Sequence, residues 1–595
     1  MNDSKVGQAR VTPETISGPE ELQALSPVDA KFFADDVRRF LLENISKTGG
    51  HIGANLGTVD LSIALHRVFR SPADTIIWDT GHQGYTHKII TGRAKLFPTL
   101  NTYRGMNRFV TRMESEHDPI EASHAGTSIS IGLGMALGRR LSGNDHAVIA
   151  VIGDGALAEG MAFEALNHAS VEDVNLTIVL NDNGFAISPG FGALHEAFQN
   201  GGDAAGDFFR ALGYTYIGPV DGHDILALED ALRQARDGDK VTVVHAKTEK
   251  GHGWPPADGH PFRQHFSFPF DPDTGEARPA IQSVGYPDVV AAVIVEEMEE
   301  DDKIVAITPS TLYATGLAGA FAKFPDRCFD PGMEEQHAMT LAVGLALSGM
   351  KPVVAFQSTF MQRAYDQLIH DVCFMKLPTL LLSFRSGFSG YDNPTHHGIY
   401  DFSYLRGLPN LEIMYPKDRF EAERMVSDTL RNLDHPVLIL MPYGPVDEFD
   451  ERVLRETPAS FSRAEVIATG HDLLLITVGN KFLVAVEVVD ALRAKGCDAG
   501  LINLRHLKPI PEAQLATLMA ETSKVVTLEE AVKEGGVGSA IADLVVDRNI
   551  DTQVLRIGLP TVFVEPGSSE ELCAAYGLDT PGVLERIGKR WPELA

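Results

Sequence analysis

The sequence predicts an α/β protein of three domains, each built on a doubly wound parallel sheet. Three observations carry this. Residues 146–188 read HAVIAVIGDGALAEGMAFEALNHASVEDVNLTIVLNDNGFAIS. An apolar run (Ala147 to Ile152) breaks at Gly153-Asp154-Gly155, a helix-like segment follows, and a second apolar run ends in Asn181-Asp182-Asn183. That is strand, turn, helix, strand, the unit of a parallel sheet. The same alternation recurs twice downstream, with strands at Ile304 to Ile307, Pro352 to Phe356 and Thr379 to Phe384, then at Leu473 to Val478, Val525 to Leu528 and Val554 to Ile557. Finally, two stretches punctuate the chain: PFDPDTGEARP (269–279), which reads as a linker, and the weakly periodic charged segment 447–458. The predicted domains are therefore 1–282, 286–455 and 461–595.

Bulk properties exclude several classes of function. At 595 residues the chain is long enough for several cores, and 44% hydrophobic with 22% charged residues is the composition of a soluble globular protein. A formal net charge of −30 repels nucleic acid and anionic membranes, so neither is expected as a partner. Any phosphate site has to be built locally. Cys328, Cys373, Cys497 and Cys573 are widely spaced with no CxxC pair, which reads as reduced thiols in a cytoplasmic protein. The N-terminal residues lack the apolar core of a signal peptide, and no apolar run reaches the ~18 residues of a membrane span.

Two glycine clusters need sorting. Gly132, Gly134 and Gly138 lie inside a helix-like segment (127–141) rather than after a strand, which favours close helix packing over a nucleotide site. Gly535-Gly-Val-Gly538 follows a strand and reads as a strand-to-helix turn.

Asp154 and Asn183 are different. Each ends a predicted parallel strand, where ligands of open α/β sheets bind, and the crossover brings them together. Two hard oxygen donors beside a glycine turn suit Mg²⁺ carrying a diphosphate, because Mg²⁺ keeps few protein ligands and takes phosphate oxygens. Further on, Glu335 opens a helix-like segment just after an apolar strand, and Phe360 stands at a strand end in QSTFMQRAYD (357–366). Taken singly, Glu335 fits an ordinary acid at a helix N-terminus and Phe360 a core residue.

These patterns resemble thiamine diphosphate enzymes, and over nearly the whole chain the 1-deoxy-D-xylulose-5-phosphate synthase family. The resemblance is carried by GGHIGANLGTVDLSIALH, IIWDTGHQGYTHKIITGR, the 146–188 motif, YIGPVDGHD, EEQHAMTLAVGLA, STFMQRAYDQLIHDV, THHGIYDFSYLR, GGVGSAI and RIGLP. It implies a transketolase-like fold, thiamine diphosphate and Mg²⁺ as cofactors, a homodimer, and joining of pyruvate to an aldehyde with loss of CO₂. By the same resemblance Asp154, Asn183 and the Phe185 carbonyl hold Mg²⁺, and Gly153, Gly155 and Ala156 lie against the diphosphate. His82, His124 and Lys250 flank the cofactor. Glu335 hydrogen-bonds its aminopyrimidine and so supports proton removal at the thiazolium carbon. Phe360 stacks on that ring, with Arg363 and Asp366 around it. His51, His265 and His396 are the candidates for proton transfer and substrate orientation. Arg385, Asp392, Gln357 and Tyr443 line the acceptor side.

The sequence departs from the family mainly around the acceptor. Family members carry a Tyr-Pro-Arg-Gly segment preceded by another arginine, whereas here the stretch is Leu440-Met-Pro442-Tyr443-Gly444. An arginine–phosphate bond contributes roughly 1.5–3 kcal/mol. Gln357 replaces a tyrosine, Ala54 a serine, and Ser123-His124-Ala125-Gly126 the usual Gly-His-Ser-Ser, while the segment after Ser188 is short. Either other groups bind the phosphate, or the acceptor has changed to an aldehyde that need not be phosphorylated. Ketol transfer from a ketose donor and a non-catalytic cofactor-binding relative are further alternatives.

Overall fold

In the computed structural model, which describes residues 10–199, 203–238, 240–278, 284–446 and 463–594, seventeen strands form three sheets. The expected borders at 282, 455 and 461 lie outside the described residues. The chain divides into two compact units, Met1–Ala280 with Gly332–Glu334, and Ile281–Pro331 with Glu335–Ala595.

The first unit holds β1 (Thr75–Trp78), β2 (Val148–Gly153), β3 (Leu176–Asp182), β4 (Thr215–Asp221) and β5 (Thr242–Lys247), all parallel, in the order β1-β2-β3-β5-β4. Residues Val148 to Ile152 are buried throughout, which explains why the sequence shows an unbroken apolar run. Their side chains still alternate: Val148, Ala150 and Ile152 join one core, Ile149 and Val151 another. Two cores on opposite faces are what a doubly wound sheet requires. The glycine-rich helix Ser128–Ser142 packs here, and a Cβ on Gly132 would come within 3.1 Å of Leu176, so close packing accounts for that glycine.

The second unit holds the other two sheets. One contains β6 (Ile304–Ile307), β7 (Cys328–Phe329), β8 (Lys351–Gln357), β9 (Leu380–Ser386), β10 (Glu412–Met414) and β11 (Val437–Pro442). The other contains β12 (Glu465–Ala468), β13 (Leu473–Thr477), β14 (Ala499–Asn503), β16 (Lys524–Val532) and β17 (Gln553–Leu559). The remaining strand, β15 (His506–Lys508), belongs by sequence to the third block but pairs antiparallel with β10. The three parallel-sheet units are as expected, and the antiparallel pairings are those of β15 with β10 and of β12 with β14. Long-range contacts hold this edge: Arg505, fully buried, bonds Glu421 and Glu465, and its carbonyl accepts from Tyr415 N–H just after β10.

Of the expected linker 269–279, residues 269–278 are described, and they pack. Phe270 is buried, its N–H bonds Ser46 O, and a turn from Asp271 to Gly275 brings Phe270 opposite Ala277. Gly535 and Gly536 form the expected turn, between β16 and the helix Val537–Asp547, whose first N–H groups are capped by buried Glu529. All four cysteines are free thiols. Among the described residues no helix is long and apolar enough to cross a membrane.

Candidate functional site

Two clusters of the expected residues form, one in each unit. In the first, β2 and β3 are adjacent, with Gly153 opposite Asn181, so Asp154 and Asn183 leave neighbouring strand ends. The Asn183 N–H points at Asp154 Oδ1 at 3.5 Å, and Asn183 Oδ1 accepts from Phe185 N–H at 3.0 Å. A Cβ on Gly155 would lie 2.7 Å from that of Ala186, so glycine is needed for the 184–190 loop to close over the strand ends. Gly153, Gly155 and Ala156 all lie in the turn into the short helix Asp154–Leu157.

Electrostatics mark the same spot. Burial, with Asp182 nearby, pushes the Asp154 carboxyl up to about 7. Lys250, buried 5.2 Å over the Phe185 ring, donates to Ala186 O at 2.8 Å, and burial brings its ammonium down to about 7. Its charge at neutral pH is thus weaker than the sequence implies. A buried carboxylate beside an amide oxygen donor, strained by a second acid, is a donor set that fits a hard dication.

His51, His82 and His265 converge, with ring centroids 5.1–5.5 Å apart. Burial, reinforced by Lys250, lowers His82 to about 3 and His265 well below its ordinary value, so both are neutral at pH 7. His82 Nδ1 and His265 Nδ1 are buried and bond no other described residue. Such atoms are normally satisfied, so they leave two bonds for a ligand to make. The loop carrying His265 is clamped to the helix Ile52–Gly57: Gly53 N–H bonds Gln264 O, and a Cβ on Gly53 would meet Arg263 O at 1.9 Å.

Two positioning residues escaped the sequence reading. Asn55, fully buried, donates from Nδ2 to both His51 O and His82 O, and its Oδ1 accepts from Tyr85 N–H, all at 2.7 Å. Asp79 accepts from Gly126 and Ser128 N–H at 2.9 and 3.0 Å, fixing the loop that bears half-buried His124. An amide inside an otherwise apolar helix was the only available signal for Asn55.

In the second unit, Gln357 ends β8, and Phe360 lies one turn on, its ring 5.4 Å edge-on to buried His396. Glu335 begins the helix Glu335–Leu347 and is buried. Ser358 Oγ donates to both oxygens of Asp401, and Thr359 Oγ1 to Thr395 O, tying the Phe360 turn to the His396 loop. Arg385, at a left-handed φ of 66°, pairs with Asp392 at 2.6 Å and lies 5.2 Å over the Tyr443 ring. Arg363 is half-buried and Asp366 exposed. Leu440 faces the hydrophobic core at 0% exposure, so of the two positions without arginine only Tyr443 is at the surface.

Comparisons with known proteins match the chain segment by segment. A sequence-family model described as 1-deoxy-D-xylulose-5-phosphate synthase matches residues 14–204, and the transketolase thiamine diphosphate binding domain matches 139–272. The transketolase pyrimidine binding domain matches 282–446 and the transketolase C-terminal domain 462–583. The 1-deoxy-D-xylulose-5-phosphate synthase of Syntrophomonas wolfei subsp. wolfei is 41% identical, over 98% of this chain and 97% of its own. That of Desulforudis audaxviator is 41% identical over 96% of each chain, and that of Geobacillus thermodenitrificans 40% over 96% and 98%. The chain belongs to the 1-deoxy-D-xylulose-5-phosphate synthase family, thiamine diphosphate-dependent transferases of the transketolase type.

Proposed function

We propose that this chain decarboxylates pyruvate and transfers the two-carbon unit to an aldehyde, with D-glyceraldehyde 3-phosphate giving 1-deoxy-D-xylulose 5-phosphate. The observation that carries the reading is the pairing of Asp154 with Asn183 at adjacent strand ends, 3.5 Å apart. In this reading Asp154, Asn183 and the Phe185 carbonyl hold Mg²⁺, and Lys250, Gly153, Gly155 and Ala156 face the diphosphate. Thiamine diphosphate, when bound, supplies an electron sink for the pair left by loss of CO₂.

The remaining steps belong to the protein. Glu335 holds a proton at the pyrimidine nitrogen, from a buried position at a helix start, and Phe360 and Arg363 pack around that ring. His82 and His265, kept neutral by burial, hydrogen-bond without carrying charge, a role neutral imidazoles can fill beside a developing oxyanion. His51 and His265 move protons at the substrate oxygens, and His396, Asp392, Gln357 and Tyr443 orient the acceptor. Residues 1–282 serve the diphosphate and metal, 286–455 the pyrimidine, and 461–595 form the C-terminal domain. The working form is a homodimer in the cytoplasm.

The test is CO₂ release and product analysis with pyruvate and a panel of aldehydes. CO₂ with a 1-deoxy-2-ketose product supports the proposal. Product from a ketose donor with no CO₂ from pyruvate overturns it.

A further inference from the structure

An aromatic ladder leads away from the histidine cluster and ends in a cation. The rings of Phe109 and Phe266 lie 5.5 and 5.2 Å from that of His51, and the Arg108 guanidinium sits 4.7 Å over the Phe266 ring. Guanidinium groups stack well on aromatic faces and bind phosphate through paired N–H groups.

Arg108 is fixed from a second side. Its Nε donates to Asn101 Oδ1. Asn101 adopts a left-handed φ of 63°, a conformation asparagine tolerates but does not prefer. From there its Nδ2 donates to Thr48 O at 2.7 Å and Gly49 O at 3.1 Å, three and two residues before His51. One strained residue therefore sets both the guanidinium and the backbone that delivers His51. Strain of this kind persists where the surroundings enforce it, most often at ligand sites.

The neighbouring histidines do not supply positive charge, because burial keeps His82 and His265 neutral. Arginine stays charged at every physiological pH. On a chain of net charge −30 an anionic substrate group is held only where a cation is placed for it.

We infer that Arg108 binds the phosphate of the acceptor aldehyde, in a pocket whose reacting end is the His51–His82–His265 cluster. This rests on the carboligase reading above. The choice of phosphate over the pyruvate carboxylate follows from the molecules. A carboxylate bonded to the reacting carbonyl would lie at the histidines themselves. A three-carbon aldehyde carries its phosphate at the far end, and Arg108 stands one aromatic ring removed from His51.

The experiment compares the holoenzyme with its Arg108→Gln and Arg108→Lys variants. The first readout is the ratio of kcat/KM for D-glyceraldehyde 3-phosphate over D-glyceraldehyde at saturating pyruvate. Arg108→Gln lowers that ratio roughly ten- to a hundredfold, and Arg108→Lys retains part of it. The second readout is calorimetric titration with glycerol 3-phosphate, a non-reacting three-carbon phosphate, whose binding weakens by a similar factor in Arg108→Gln. Equal losses with both aldehydes, as from damaged packing, overturn the inference. A raised KM for pyruvate at an unchanged ratio, or unaltered glycerol 3-phosphate binding, also overturns it. If wild type releases no CO₂ from pyruvate while Arg108→Gln still weakens glycerol 3-phosphate binding, the carboligase reading falls and the phosphate site stands.

Discussion

Asn55→Ala removes in one step the side chain that holds two of the three clustered histidines. Its amide bonds His51 O, His82 O and Tyr85 N–H, each at 2.7 Å, and the residue has no exposed surface. Alanine offers no replacement for these bonds. Each of the three buried groups left without its partner costs about 1–3 kcal/mol, so the variant loses roughly 3–9 kcal/mol of stability. Asn55→Asp keeps an acceptor for Tyr85 but turns an anion toward two carbonyl oxygens, and is at least as unstable. Urea unfolding monitored by circular dichroism measures this as a lower midpoint at unchanged slope. Under native conditions kcat falls further than thiamine diphosphate affinity, because the backbone of His51 and His82 loosens while the Asp154–Asn183 pair is untouched. A stability loss below about 1 kcal/mol, or equal falls in kcat and cofactor affinity, refutes the reasoning.

Three further outcomes follow from the same geometry. Asp154→Asn removes the charge that fits a dication, so Mg²⁺-dependent thiamine diphosphate binding, read by calorimetry, weakens at least tenfold, while apo-protein stability at pH 8 rises because a buried anion is gone. Gly53→Ala drives a methyl into Arg263 O and costs about 1–3 kcal/mol in urea unfolding, with faster hydrogen exchange in residues 262–267. Asp401, with no exposed surface, has its carboxyl raised to about 7 by burial, against hydrogen bonds from Ser358, Ser386 and Tyr404 that lower it. The folded-state value exceeds the unfolded one, so this acid's favourable contribution is complete below pH ~4 and is lost as pH rises to about 7. Asp401→Asn therefore matches wild type below pH ~4 and exceeds it at pH 8 by up to about 4 kcal/mol. An equal effect at both pH values refutes that account.

The strands were legible because parallel strands covered on both faces are written as short apolar runs. Ile304 to Ile307 coincides with β6, and Ala147 to Ile152 differs from β2 by one residue at each end. The Asp154–Asn183 meeting was legible for a related reason: a single crossover joins adjacent parallel strands, so their ends must coincide. By contrast, β15 could not be assigned to its sheet, since a three-residue strand carries no periodicity and its pairing depends on buried Arg505. The 269–279 stretch looked like a linker because turn residues look alike whether or not the turn packs. Asn55 was passed over because an amide's bonds to carbonyls 4 and 27 residues away leave no trace in composition.

The sequence alone determined the class of the protein: the α/β fold, the family, the cofactor chemistry, and which residue types stand at the strand ends. Those follow from local patterns, since apolar runs, glycine turns and motif order are each written within a few dozen residues. Tertiary structure decided what depends on long-range proximity. It showed that burial keeps His82 and His265 neutral and lowers the pKa of the Lys250 ammonium, and that Leu440 faces the core. It also set Arg108 against Phe266, although 158 residues separate them. Charge state and contact are properties of surroundings assembled from distant segments, and only the folded chain brings those segments together.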